Sequence, residues 1–163
     1  MDRSETSQKQ VAGSLYDKDF YAWTQEQASL LHSRQWSQLD LLNLVEEIES
    51  LGRQERRELI NRLSVLIGHL LKWQYQSHRR TRSWIATIAI QRLEITELIE
   101  ESPSLKPDLE AALRQAYLKA INLAIQETNL PNRTFPPNCP YSLEEILDDR
   151  FYPGEPSSLL DED

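Results

Sequence analysis

Eight side chains within thirteen residues raise the first chemical question. Lys72, Trp73, Tyr75, His78, Arg79, Arg80, Arg82 and Trp84 interleave cations with aromatic rings. Guanidinium forks hold phosphate or carboxylate through charge-assisted hydrogen bonds, and aromatic faces stack on bases. The grouping predicts an anion- or partner-binding corner built from Lys72, His78, Arg79, Arg80, Arg82 and Trp84. The same residue types also suit a plainer role, in which the cations pair with acids of neighbouring helices and the tryptophans fill the core. The sequence leaves both readings open.

The corner lies in a segregated stretch. Between Arg53 and Arg92 there are nine Lys and Arg against only Glu55 and Glu58, a balance of +7. The rest of the chain carries nine bases and twenty-four acids, and the whole chain has a net charge of −8. An acidic remainder repels a long polyanion, which disfavours high-affinity DNA binding. A short phosphate-bearing group or an acidic protein partner fits better. The opposed charges could also pair between copies, so a self-associating bundle, a homo-oligomer, stays as an alternative.

A second constellation is acidic. Glu46-x-x-Glu49 and Glu97-x-x-Glu100 each place two carboxylates on one helix face. Paired helices of this kind can hold Mg²⁺, a hard cation that takes several oxygens and keeps its waters. A Mg-dependent nucleotide pyrophosphohydrolase with Glu46, Glu49, Glu97 and Glu100 as ligands is therefore the enzymatic alternative. Glutamate is also common on solvated helix faces, and no metal is expected on the leading reading.

The remaining chemical residues are less specific. His32, His69 and His78 have no acid three or four residues earlier and are not four apart, so they lack the spacing of helical metal sites. His69 sits beside an apolar stripe, as a hydrogen-bonded core residue or as a ligand or proton-transfer group over the basic corner. Cys139, the one cysteine, lies in the loop Pro136-Pro137-Asn138-Cys139-Pro140 and can form no intramolecular disulfide. Gly-x-Ser-x-Gly and phosphate-loop patterns are absent. No cofactor is expected, and the leading reading is not an enzyme.

The elements that must position these groups are helical. Only four glycines occur, and neither an Asn-Gly nor an Asp-Gly hairpin signal is present. Apolar spacing predicts a helix from near Asp17 to Arg34, with Phe20, Trp23, Gln27, Leu30 and Leu31 on one face. A second helical stretch follows Ser37-Gln38-Leu39-Asp40 and runs to Tyr75. Its stripe is Leu42, Val45, Ile48, Gly52, Leu59, Leu63, Leu66, Leu70 and Trp73, with a bend or break expected near Gly52. Further helices are expected over 81–101 and from Pro107, the latter carrying Leu109, Leu113, Ala116, Tyr117, Ala120 and Ala124. Four prolines make Leu130 to Pro140 extended. Ser142-Leu143-Glu144-Glu145 reads as a capping box, with Tyr141 and Ile146 as its staple, for a short helix at 142–149.

Several of these segments together resemble a known family. They are Leu15-Tyr16-Asp17-Lys18-Asp19-Phe20-Tyr21-Ala22-Trp23, Asp40 through Gly52, His69-Leu70-Leu71-Lys72-Trp73-Gln74-Tyr75, Arg82-Ser83-Trp84, Ser102-Pro103-Ser104-Leu105 and Cys139-Pro140-Tyr141. They are similar to the domain of unknown function 29 family, common in cyanobacteria, over roughly 15–153. The resemblance implies a compact helical bundle and a cyanobacterial source, and it brings no known reaction and no functional residues.

The expected architecture is an all-α, four-to-five-helix bundle with an irregular Pro-rich C-terminal arm and a short final helix. Residues 1–14 are expected as a flexible tail, 15–153 as one helical domain and 154–163 as a disordered acidic tail. No apolar run reaches the length of a membrane span, and the polar N-terminus lacks a secretory signal, so a cytoplasmic protein is expected. The expected function is a non-enzymatic interaction module.

Overall fold

Side-chain caps set where the N-terminal helices begin. In the computed structural model, which describes residues 13–161, the Ser14 hydroxyl accepts from the Asp17 amide and opens α1 (Leu15–Lys18). Asp19 then caps α2 (Phe20–His32) by accepting from the Ala22 amide at 2.9 Å. The expected single helix starting near Asp17 is thus two, because Asp19 competes for the backbone as a cap does. α2 ends before Arg34, whose φ of 57° is left-handed. After a 3₁₀ turn at Trp36–Gln38, Asp40 stands at the head of α3 (Leu41–Tyr75), accepting from the side-chain amide of Asn43 at 2.7 Å.

α3 runs through Gly52 without a break, so of the bend or break expected there the break is excluded. A helical glycine costs only about 1 kcal/mol relative to alanine, too little to end a helix whose neighbours continue it. Nor does Gly52 admit a close neighbour: a Cβ built there meets nothing within 4 Å. The glycine with that role is Gly68, where a Cβ would fall 2.4 Å from Leu123 Cδ2.

A 3₁₀ turn at Ser77–Arg79 leads to α4 (Arg82–Glu101), capped by Thr81. A 3₁₀ segment, Pro103–Asp108, leads to α5 (Leu109–Thr128), which closes on Asn129 at φ 57°. The arm that follows is irregular up to α6 (Leu143–Leu147). There the capping box is complete: Ser142 Oγ accepts from the Glu145 amide, and the Glu145 carboxylate accepts from the Ser142 amide at 2.9 Å. Both staple residues, Tyr141 and Ile146, are buried. A last 3₁₀ turn covers Ser158–Leu160. Among the described residues there are six α-helices, four of them long, and no strand, so the fold is an all-α bundle. The expected tail at 1–14 falls mostly outside the described residues.

The chain divides into two compact units after Gly52. Among the described residues of the first, only Trp23 and Gln27 are buried. Tyr16, Phe20 and Trp23 form an aromatic cluster with centroids 4.9–5.7 Å apart. Trp23 Nε1 donates to Asp40 at 3.0 Å, and Gln27 Oε1 accepts from the Asp40 amide at 2.8 Å. Phe20 and Leu31, expected inward, are exposed, as are Leu42, Val45 and Ile48.

The second unit holds the hydrophobic core. Leu59, Leu63, Leu66, Leu70 and Trp73 of α3 are fully buried, with Ile88 and Ile95 of α4 and Ala116, Ala120 and Ala124 of α5. The small alanine side chains let α5 lie close. No helix among the described residues is long and apolar enough to cross a membrane.

Candidate functional site

The basic stretch of the sequence is distributed among three roles, and their geometry decides which cations are displayed. The first role is internal pairing. Lys72, only 5% exposed, pairs its ammonium with the Glu127 carboxylate and lies 4.5 Å above the Trp84 ring. Arg62 bridges Glu58 at 2.7 Å and Glu94 at 2.9 Å.

The second role is clamping the C-terminal arm. Arg80 Nε donates to the Trp73 carbonyl at 2.8 Å and its Nη1 to the Glu155 carbonyl at 2.7 Å, with the guanidinium 4.6 Å above the Trp73 ring. Gly154, at φ 85°, makes the turn beside it, and a Cβ there would sit 3.3 Å from Arg80 Nη2. Arg92, 2% exposed, donates from Nε to the Ile146 carbonyl at 2.8 Å and from Nη2 to the Phe151 carbonyl at 2.7 Å. Tyr152 lies against Arg92, its ring centroid 5.3 Å away. Burial pushes both guanidinium pKa values below their ordinary level.

The predicted corner is therefore only partly a surface. Lys72 is withdrawn, Arg80 is spent on carbonyls and Trp84 is half-buried, whereas His78, Arg79 and Arg82 are exposed. The expectation that Lys72 and Arg80 are displayed is corrected: a cation beside a buried aromatic wall keeps its charge only by finding acceptors, and the chain's own arm and Glu127 supply them.

The third role was not singled out in the sequence. Arg53, Arg56 and Arg57 of α3 meet Gln115 and Lys119 of α5 around a groove of about 330 Å³ floored by Ile60. Arg56 Nη1 donates to Gln115 Oε1 at 3.2 Å, and its Nε is 3.6 Å from Asp108, in a pair that is one-third to one-half exposed. Exposed pairs of that length neutralise little. Lys119 Nζ donates to a neutral group, Asn61 Oδ1, at 3.1 Å. The intervals Arg53, Arg56, Arg57, Ile60 are those of one helix face. That half of the groove was legible, whereas Gln115 and Lys119 arrive only through helix packing.

The acids are arranged differently from the metal expectation. Glu46 and Glu49 belong to the first unit and Glu97 and Glu100 to the second. Glu97 lines a small pocket with Glu58, Arg62, Glu94 and Glu101. Among the described residues no group of three or more His, Cys, Asp or Glu side chains is placed to hold a metal ion. Cys139 is half-buried, and burial pushes its thiol pKa up from 9.0, away from the thiolate that nucleophilic chemistry needs.

His69 is half-buried on α3, with Nδ1 2.9 Å from the Val65 carbonyl, so Nδ1 carries the proton. Burial, aided by Lys72, pushes its pKa below the ordinary 6.5, against the opposing pull of the Val65 carbonyl and Glu127. The unfolded chain thus takes up this proton first as pH falls. Its contribution to stability is complete above about pH 6.5 and is lost as pH drops below that value. The urea midpoint of the wild type should fall more steeply than that of His69→Gln between about pH 7 and about pH 5. Parallel curves would show that His69 is not the group responsible.

No curated protein and no solved structure matches this chain. The helical order, the Trp23–Asp40 contact and the arm closing on Tyr141 all fall inside one family match. That match is to the domain of unknown function DUF29, over residues 15–152, and the chain belongs to that family.

Proposed function

We propose that this protein is a non-enzymatic interaction module that captures a short phosphate-bearing or acidic partner on its C-terminal unit. The observation that supports this reading is the groove between α3 and α5. There Arg53, Arg56, Arg57 and Lys119 converge, and the ion pair of Arg56 with Asp108 is a long, partly exposed one at 3.6 Å. Elsewhere in the basic stretch Arg62 and Lys72 are matched by carboxylates and Arg80 and Arg92 by carbonyls. The cations of the groove meet at one concave place with an apolar floor. Guanidinium forks at such a place suit the tetrahedral oxygens of a phosphate monoester or the two oxygens of a carboxylate. The exposed His78, Arg79 and Arg82 at the α3–α4 corner are a separate cationic surface on the same unit.

Titration calorimetry with inorganic pyrophosphate and with a phosphoserine peptide tests the reading. Charge-assisted hydrogen bonds contribute about 1.5–3 kcal/mol each, so the triple change Arg56→Gln, Arg57→Gln, Lys119→Gln should weaken binding by at least about 100-fold. Circular dichroism should be unchanged, because these side chains lie outside the core. The pair Arg79→Glu, Arg82→Glu should leave the affinity within about threefold, as expected of remote charges screened by salt. Loss of binding in the corner pair with retention in the groove triple would transfer the role to the corner.

A further inference from the structure

We infer that the first three turns of α3 present a docking face for a cationic amphipathic helix supplied by another protein. This surface is separate from the anion groove and of opposite charge. Of the fourteen exposed large hydrophobic residues among the described ones, ten lie between Leu15 and Leu51. Five of them, Leu41, Leu42, Val45, Ile48 and Leu51, are on α3, and each is more than half exposed, Leu42 at 87%. Leu41, Val45, Ile48 and Gly52 follow one another at intervals of four, three and four residues, which sets them on one helix face. Leu42 and Leu51 flank that face on either side. Gly52 adds no side chain at the end of the row, so the helix backbone is open to a partner side chain there. A row of this kind is the receiving half of helix-in-groove recognition, read by anchors at i, i+3, i+4 and i+7.

Charge selects the occupant. Residues 13–52 carry seven acids against Lys18 and Arg34, and from Gln35 to Gly52 there are four acids and no Lys or Arg. The unit that bears the apolar row thus carries an excess of acid, and a partner helix with lysines and arginines beside its apolar anchors complements it. A second copy of this chain fits less well. The antiparallel register that sets Leu41 against Gly52 and Val45 against Ile48 also sets Glu46 against Glu47 of the second copy. The register that matches the acids to Arg53, Arg56 and Arg57 slides the row by about nine residues and puts Val45 opposite Arg57, where the two apolar rows no longer meet. A parallel pairing places every acid beside its twin. Residues 1–12 of the chain offer only Met1, Val11 and Ala12 as apolar side chains, too few to match the row.

The test is fluorescence anisotropy with a labelled amphipathic peptide of about 18 residues, five helical turns, with leucines on one face and lysines elsewhere. A second peptide of the same charge has the leucines replaced by serine. The leucine peptide should bind at least about tenfold more tightly than the serine peptide, and Val45→Ser with Ile48→Ser should remove at least about tenfold of that affinity. Both positions are exposed, so helicity and thermal midpoint should be kept. Gly52→Trp provides a second variant: it adds a bulky side chain at the open end of the row, where a Cβ meets nothing within 4 Å, and it should weaken the leucine peptide and spare the serine one. Sedimentation velocity should show a monomer. Equal binding of the two peptides, or indifference to both variants, overturns the proposal. So does a dimer that Val45→Ser with Ile48→Ser dissociates, which would make a second copy the occupant.

Discussion

Arg92→Ala should destabilise the protein by about 3–5 kcal/mol, measured as the shift in urea unfolding midpoint multiplied by the slope. The size follows from what the guanidinium leaves behind. Its Nε and Nη2 hydrogen bonds to Ile146 and Phe151 join α4 to the arm, with a longer contact of 3.4 Å from Nη1 to Asp149. Each bond to a charged donor contributes about 1.5–3 kcal/mol, and each buried carbonyl left without a donor carries a desolvation cost. Arg92→Lys places one ammonium where a fork stood, so it should recover less than half of the loss. Arg92→Met restores part of the packing against Tyr152 and none of the hydrogen bonds, and should sit near the alanine variant. In hydrogen exchange, amides of 143–153 should lose protection before those of α3 and α5. Retention of arm protection in Arg92→Ala would mean that the apolar staple of Tyr141 and Ile146 holds the arm alone.

Trp73→Ala should have an effect of similar size, about 3–5 kcal/mol, through the cavity it opens. The ring is fully buried, 4.6 Å from the Arg80 guanidinium and 5.2 Å from the Tyr152 ring. Removing it takes away the wall against which the arm and Arg80 are both seated. Trp73→Phe should behave very differently. The indole Nε1 is buried and has no hydrogen-bond acceptor among the described residues, and an unmade buried hydrogen bond costs about 1–3 kcal/mol. Phenylalanine discards that group along with some volume, so the two changes offset and the net cost should stay within about 1.5 kcal/mol. A phenylalanine variant as unstable as the alanine one would show that the indole N–H is satisfied in solution.

These two residues also show how much a linear reading can carry. Trp73 closed an apolar stripe at helical spacing, and its burial follows from periodicity. Arg92 was counted among nine bases and assigned no task, because nothing local distinguishes a buried arginine from a solvated one. The difference lies in acceptors fifty-four to fifty-nine residues away, on an arm whose path is set by prolines and by a capping box. The same holds for Arg80 and Lys72. Their charges made the corner prominent in the sequence, and the carbonyls and carboxylate that absorb those charges come from the end of α3, from the C-terminal arm and from α5.

The groove and the docking face divide in the same way. The face of Arg53, Arg56, Arg57 and Ile60 is a helical spacing that can be read directly, and so is the row Leu41, Val45, Ile48 and Gly52. Their status could not be read, since both rows look like the inward stripe of an amphipathic helix. Val45 and Leu63 satisfy the same periodicity, yet one is exposed and the other fully buried, because periodicity names a face and says nothing of what covers it.

The sequence by itself determined the long helices, the capping box at Ser142, the proline-rich arm and the family, since these rest on preferences within a few residues: hydrogen bonds from capping side chains, the missing donor of proline, and the 3.6-residue turn. Only the tertiary structure decided which cations are consumed and which displayed, and which apolar rows find a partner. A charge or an apolar side chain acquires its role from the groups brought against it, and for Lys72 and Arg92 those groups stand more than fifty residues away in sequence.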